Sequence, residues 1–493
     1  MAMHSYNMLI GGVWVDATGG DRIETSDPYS GEPWATIPRG TTADVDAAVD
    51  AAHAAFRHPS WRKLPAMARA ALLRKLGALL TDHAEQLAQV ETRDNGKLLS
   101  STRMEVLGAA NAFHYFAGLA DKIEGTVSPA EFPGIFAYAN YEPLGVVAVI
   151  TPWNSPLLIA ALKTANALAA GCTVVIKPSE FTSASTLEFA RLFDLAGFPP
   201  GVVNVLTGYG ADIGDRLVTH PQVAKIQFTG GTETGQRINM QAAASFKKVV
   251  LELGGKSPNI VFDDADIDAA IRGAIVSIFT SSGQSCISGS RLLLQQDVHD
   301  RFIERLVALT QDLRLGDPRD PATQIGPMTT RPQFDRVTAM LDAAKAGGAV
   351  CAMGGSALAG GGQFVRPTVL TGIRNDMAIA QEEIFGPVLS VIPFRDEEEA
   401  LAIANATRFG LASGVWTRDM GRAFRMIEGI EAGTVWVNSY RLISLMMPSS
   451  GWKDSGLGSE NGQKNILNFM KPKTVFLNHG GTVTVPFMPE LNG

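Results

Sequence analysis

Residues 145–180 read GVVAVITPWNSPLLIAALKTANALAAGCTVVIKPSE. Two apolar, β-branched runs, Val146–Ile150 and Thr173–Lys177, bracket a stretch with helical spacing, and each run ends in a loop carrying Pro and polar side chains. Three more runs follow, Val202–Leu206, Lys225–Phe228 and Val249–Glu252, so that successive starts are 23 to 29 residues apart. That spacing is what strand–helix–strand units require, and it predicts a parallel sheet with helices on its faces. Ligands of such sheets bind beyond the carboxyl ends of the strands. The residues just after each run are therefore the first candidates for function.

Outward from this block, a second alternation predicts another α/β domain: Asn259–Phe262, a helix near 266–282, Arg291–Gln295, a helix near 298–314, and runs at Val388–Pro393 and Thr434–Asn438. Upstream, Val45, Ala48, Val49, Ala52 and Phe56 keep helical spacing. Residues 65–94 carry a second amphipathic pattern that stops at Asn95-Gly96, a common C-cap pair. The first part reads as mainly helical. Glu124–Tyr141 and the tail from Lys473 fit neither block and read as arms that pair with another subunit.

The charge balance of 42 basic against 49 acidic residues leaves −7, which argues against nucleic acid or an anionic membrane as partner. Three cysteines far apart, Cys172, Cys286 and Cys351, form no disulfide framework and suggest a reducing compartment. There is no CxxC or HExxH, so no metal site is expected. The most apolar window, Leu157 to Ile176, is interrupted by Lys163, Thr164, Asn166 and Gly171 and reads as helix then strand, not a membrane span. With no signal-peptide pattern at the N-terminus, a cytoplasmic protein is expected.

Several motifs are decoys. Gly208-Tyr209-Gly210-Ala211-Asp212-Ile213-Gly214 follows a strand, but its last glycine comes one position late for GxGxxG. Gly255-Lys256-Ser257 resembles the end of a P-loop, yet Val250 stands where the first glycine belongs. Gly283-Gln284-Ser285-Cys286-Ile287 starts like a serine-hydrolase elbow and then places Ile where Gly is needed. Read around the cysteine, that last stretch is more telling. Cys286 is flanked by small polar residues and glycines, the partly open surroundings a reactive thiolate needs, whereas Cys172 precedes an apolar run. The strand ends add an amide (Asn154), an ammonium (Lys177) and two carboxylates (Glu180, Glu252).

Trp153-Asn154, Lys177-Pro178-Ser179-Glu180, Phe228-Thr229-Gly230, Glu252-Leu253-Gly254-Gly255-Lys256, Gly283-Gln284-Ser285-Cys286 and Glu382-Glu383-Ile384-Phe385-Gly386-Pro387 stand in an order and spacing that resemble the aldehyde dehydrogenase superfamily. The resemblance runs over nearly the whole chain, to Ser455-Gly456-Leu457-Gly458 and Glu460. It implies a Rossmann-like α/β NAD-binding domain (1–123 with 144–253), a second α/β catalytic domain (254–455) and a small β oligomerisation arm (124–143 with 456–493). A homodimer or homotetramer follows from the same resemblance, with 124–141 and the strand near Thr474–Asn478 pairing between subunits.

The implied reaction is NAD(P)-dependent oxidation of an aldehyde to a carboxylic acid. Cys286 would attack the carbonyl carbon, and the Asn154 side chain with the Cys286 N–H would hold the oxyanion. Glu252 would activate water on the resulting thioester, with Lys163 and Glu460 relaying the proton. Family members that pass the acyl group to coenzyme A generally lack this glutamate, so water is the expected acceptor. Lys177 and Glu180 match the adenosine-ribose positions, with Ser179 between them in the cofactor site, and Glu180 disfavours a 2′-phosphate, making NAD the expected cofactor with NADP possible. Glu383, Phe385 and Gln333 match the nicotinamide end. Ile150, Thr151, Pro152, Trp153, Gly210, Gly214, Phe228, Thr229, Gly230, Gly231, Thr234, Leu253 and Gly254 complete the expected cofactor cradle.

The chain departs from the family where Pro448-Ser449-Ser450-Gly451 replaces Pro-Phe-Gly-Gly and Ser459 replaces a common Arg. Loss of the aromatic predicts a wider or more polar substrate pocket that accepts aromatic or polar aldehydes. The alternatives are a semialdehyde dehydrogenase favouring NADP, a non-catalytic structural protein on the same scaffold, and a cysteine hydrolase. The last needs a histidine base, and no motif above contains one.

Overall fold

The five apolar runs form the parallel centre of one sheet. The computed structural model describes residues 3–129, 131–358, 362–480, 483 and 486–488. Across the sheet the strands lie in the order Gly456–Leu457, Lys248–Glu252, Val223–Thr229, Val146–Ile150, Thr173–Lys177, Val203–Val205, Met8–Ile10 and Val13–Val15. The first of the five parallel strands in sequence, Val146–Ile150, thus sits between the second and the fourth. The chain leaves it in opposite directions across the sheet, which opens a crevice at its carboxyl end. Register brings Ile150 level with Lys177 and Phe228, and pairs Thr229 with Glu252.

Both faces of this sheet are covered, which explains the near-continuous apolar runs. Val147, Val149, Val174 and Ile176 pack into one core, while Val146, Ala148, Ile150 and Val175 pack into the other. The alternation is that of strand side chains pointing to opposite faces. Helices Thr42–Arg57, Ala66–Asp82, Ala84–Asn95, Leu99–Ala117 and Pro156–Ala169 supply the covering layers. Thr41 opens the first with a capping box to Asp44, and Gly96 closes the third in the left-handed conformation (φ 75°).

A second sheet runs Val350–Met353, Thr368–Thr371, Val388–Phe394, Arg291–Gln295, Pro258–Val261, Ala412–Trp416 and Thr434–Val437, parallel except for its first strand. A third, antiparallel sheet joins Met470–Asn478 to Ile135–Pro143 and Thr126–Ser128.

The first part is mainly helical, as expected, but five short strands precede Thr42, and two of them, Met8–Ile10 and Val13–Val15, extend the first sheet. These runs of two to six residues are too short to show period-2 patterning. The single pattern over 65–94 is two helices, broken at His83, whose backbone departs from helical values. Residues 456–457 belong to the first sheet and not to the arm, since Glu252 pairs with Gly456 and Leu251 with Leu457. The two arms pair with each other within the chain, and their residues at 130, 481–482, 484–485 and 489–493 lie outside the described residues. Among the described residues no helix is long and apolar enough to cross a membrane.

Candidate active site

The crevice at the crossover is a cleft of about 700 Å³. One wall is the loop after Val146–Ile150 (Pro152, Trp153, Asn154), and the opposite wall is the loop after Val223–Thr229 (Gly230, Gly231). Leu253 and Gly254 line it next to Cys286, and Glu383, Phe385 and Gln333 close it from the second sheet's side. Twelve of the fourteen residues that line it are among those expected from sequence.

Cys286 is placed by a strained turn. Ser281, Ser282 and Gly283 are consecutively left-handed, at φ 55°, 53° and 72°. A side chain at Gly283 would collide with the Gly386 carbonyl, so only glycine fits. Gln284 is locked beyond it, its Oε1 accepting the Thr329 N–H at 2.9 Å. The Asn154 Nδ2 donates to the Gln284 carbonyl at 3.0 Å, which holds the amide two residues from the thiol. A Cβ at Gly255 would press on the Cys286 carbonyl, so the Gly254-Gly255 pair lets the cysteine segment pass close to the strand that ends in Glu252.

Cys286 is partly open, as its small polar neighbours suggest. Burial, then the charges of Glu383 and Glu252, push the Cys286 thiol up to about 12. Those neighbours in sequence do not reveal that the charges of two carboxylates reach the sulfur. Burial, reinforced by Glu460 and opposed by Lys163, likewise pushes the Glu252 carboxyl up to about 8. Its Oε1 is sealed from solvent without a hydrogen-bond partner. Behind it, the fully buried Lys163 pairs with Glu460, joining the helix Pro156–Ala169 to the C-terminal segment. Glu460 is itself held by paired backbone hydrogen bonds with Ser449, both 2.8 Å.

At the other end, Glu383 accepts the Gly255 N–H at 3.0 Å, and burial raises its carboxyl. Phe385, left-handed at φ 58°, stacks edge-on to Trp153 with ring centroids 5.2 Å apart. Gln333 spends its Nε2 hydrogens on the carbonyls of Ile384 (2.7 Å) and Phe385 (3.1 Å), holding this turn. Phe228 packs over Gly230, whose N–H donates to the Glu252 carbonyl at 3.1 Å.

The remaining candidates lie along the sheet edge beyond the cleft. Lys177 is buried, donates to the Pro178 carbonyl at 3.1 Å and approaches Glu180 at 3.5 Å; burial lowers its ammonium pKa. Thr151 donates its N–H to the Lys177 carbonyl at 3.1 Å, and Ser179 accepts from Ser183 through its carbonyl at 2.8 Å. Glu180 borders a neighbouring groove of about 1250 Å³. Gly210, Gly214 and Gly231 have no atom within 4 Å of where a Cβ would stand, and Thr234 is exposed on the helix Thr232–Ala243. Among the described residues no cluster of His, Cys, Asp and Glu could hold a metal ion.

Sequence reasoning missed Ile159, Arg336 and Arg441. Ile159 and Arg336 line the cleft, and Arg336 donates to the Glu383 carbonyl at 2.9 Å. Its spacing of three from Gln333 on the helix Arg331–Ala346 was the available signal.

The family model of the aldehyde dehydrogenase family matches residues 14–475. A (Z)-2-((N-methylformamido)methylene)-5-hydroxybutyrolactone dehydrogenase of Acinetobacter baylyi is 44% identical over 477 residues, covering 96% of this chain and 97% of its own. A betaine aldehyde dehydrogenase of Staphylococcus aureus, solved in complex with NAD+, superposes with a TM-score of 0.95 at 37% identity, over 97% of this chain and 96% of that one. An aldehyde dehydrogenase of Bacillus cereus, also an NAD+ complex, gives a TM-score of 0.94 at 40% identity, over 96% and 97% of the two chains. With the match spanning both sheets and the cleft between them, the chain belongs to the aldehyde dehydrogenase family.

Proposed function

We propose that this chain oxidises an aldehyde to the carboxylic acid with NAD+, through a covalent acyl intermediate on Cys286 that is released by water. The observation that carries the reading is a thiol and an amide that line one cleft, the amide pinned to the thiol's own loop, with a buried carboxyl next to them in the fold. That carboxyl, Glu252, precedes the cleft residues Leu253 and Gly254, has one unpartnered oxygen, and its charge reaches the thiol.

The sheet edge fits a dinucleotide. Helices begin at Gly210 and Thr232, and the space above Gly210, Gly214 and Gly231 is open, so backbone N–H groups can approach phosphate oxygens. Glu180 would accept from the 2′- and 3′-hydroxyls of a ribose and repel a 2′-phosphate, which favours NAD over NADP. Glu383 and the Trp153–Phe385 pair would hold the nicotinamide end. NAD+, when bound, supplies the hydride acceptor.

The chain's own residues do the rest. Cys286 Sγ bonds to the carbonyl carbon while Glu252 accepts the thiol proton. One Asn154 Nδ2 hydrogen is spent on Gln284, and the second, with the Cys286 N–H, is available to the developing oxyanion. After oxidation the thioester is attacked by water whose proton passes to Glu252. The Lys163–Glu460 pair lies behind it as the route outward. The exposed outer strand Thr126–Ser128 leaves a free edge for pairing between subunits in a homodimer or homotetramer.

The test is NADH formation by purified protein over aliphatic, aromatic and polar aldehydes, with NAD+ and NADP+ in parallel. Turnover that disappears in Cys286→Ala is expected. Turnover that survives this substitution would refute the assignment.

A further inference from the structure

Arg441 is a half-buried cation that the chemistry above does not use. It follows Thr434–Val437, and its backbone is left-handed (φ 65°), as is that of Asn438 (φ 50°). Long side chains seldom occupy that region unless the surroundings impose it, and such residues cluster at functional sites. Here they do impose it. Trp436 Nε1 donates to the Leu442 carbonyl at 2.9 Å, and the Tyr440 ring packs beside Trp436 at 4.6 Å between centroids. A Cβ at Gly289 would lie 2.9 Å from the Tyr440 hydroxyl, so the 438–441 turn rests against the segment that carries Cys286.

The Arg441 guanidinium senses the charges of Cys286 and Glu105, yet it forms no hydrogen bond or ion pair with any described residue. Its Nη1 is closed off from solvent and unpartnered. Glu105 makes no hydrogen bond or ion pair with it: its Oε1 is taken by Lys97 and by the Ser155 hydroxyl, and its Oε2 has no partner. A guanidinium with one nitrogen sealed from solvent and unpaired is costly to maintain, and its planar fork of donors fits a carboxylate in two-point fashion.

We propose that Arg441 anchors a carboxylate carried by the substrate itself, so that the preferred substrates are aldehydo-carboxylates, an aldehyde at one end and an anionic carboxylate at the other. The proposal rests on Cys286 being the point of aldehyde attack. One guanidinium within the field of Glu105 suits a monoanion and disfavours a dianionic phosphate.

The experiment compares acid and ester pairs: 4-oxobutanoate with its methyl ester, and 4-formylbenzoate with its methyl ester. For the better pair, kcat/KM is expected to favour the carboxylate by about a hundredfold in the native enzyme, since a buried partner group would otherwise stay unpaired. In Arg441→Gln this ratio should fall to within about threefold of unity, with the loss mainly in KM, and Arg441→Lys should lie between. A native ratio near unity in both pairs, or a ratio unchanged in the Gln variant, overturns the proposal.

Calorimetric binding separates it from the catalytic reading and needs no turnover. Benzene-1,4-dicarboxylate should bind the Cys286→Ala enzyme at least tenfold more tightly than benzoate. If neither aldehyde yields NADH but this preference holds, the catalytic reading fails and the carboxylate site stands. Equal binding of the two acids refutes the site. The same comparison on Arg441→Lys serves if the Gln variant does not fold.

Discussion

Replacing Glu252 by Gln should arrest the hydrolytic half of the reaction, and the structure sets both the size and the pH dependence of the effect. Burial and Glu460 raise the Glu252 carboxyl to about 8. At pH 7 about one-eleventh of the molecules then carry the base form, and at pH 9 about ten-elevenths do, a rise of about tenfold. A general base of this kind contributes about 10²–10⁴ in rate. Acylating Cys286 with a p-nitrophenyl ester and following decay of the acyl-enzyme isolates this step from thiol ionisation, which the Cys286 value of about 12 would otherwise superimpose. The native decay rate should climb about tenfold from pH 7 to 9 and level off above about pH 8. In Glu252→Gln it should be slower by about 10²–10⁴ and follow hydroxide with no bend. A variant that deacylates within threefold of the native enzyme, or a native profile without a bend, would refute the reasoning.

Other consequences follow from the same geometry. Asn154→Ala removes a donor aimed at the oxyanion and should lower kcat by about 10²–10³ in steady-state assays, with a thermal midpoint close to the native one. Lys163→Met leaves Glu460 unpaired beside Glu252, so chemical denaturation should show a loss of about 3–5 kcal/mol and the deacylation bend should move to higher pH. Glu180→Gln should raise kcat/KM for NADP+ relative to NAD+, measured with one aldehyde at saturation. The buried Glu91 is raised to about 8 by desolvation, then by Glu105. Its folded-state pKa exceeds its unfolded one, so the stability it contributes is complete below about pH 4 and is lost as pH rises through 8. Glu91→Gln should therefore raise the thermal midpoint, and most at pH 8–9.

The centre of the molecule was legible in the sequence because its constraints are local and repetitive. Val146–Ile150 and Thr173–Lys177 are buried on both faces, so burial itself writes continuous apolar runs, and parallel pairing requires the spacing between them. Met8–Ile10 escaped because three residues carry no period, and its place beside Val203–Val205 depends on a partner some two hundred residues away. The site's residues were legible as motifs, but their electrostatics were not. Nothing in the residues around Cys286 shows that Glu383, nearly a hundred positions later, lines the same cleft and raises the thiol's pKa. Arg441 was equally hidden, since a lone arginine after a strand has the pattern of a solvated loop residue until its sealed, unpartnered Nη1 is seen.

The central claim is that the substrate's acyl group is carried by Cys286. Mixing the enzyme with NAD+ and an aldehyde, quenching in acid within the first turnover and mapping the digested protein by mass tests it most directly. The account predicts a mass increase equal to the acyl group on the peptide containing Cys286, larger in yield in Glu252→Gln. NADH formed in the same mixture with no modification of that peptide, or with the acyl group on Cys172 or Cys351, would contradict it.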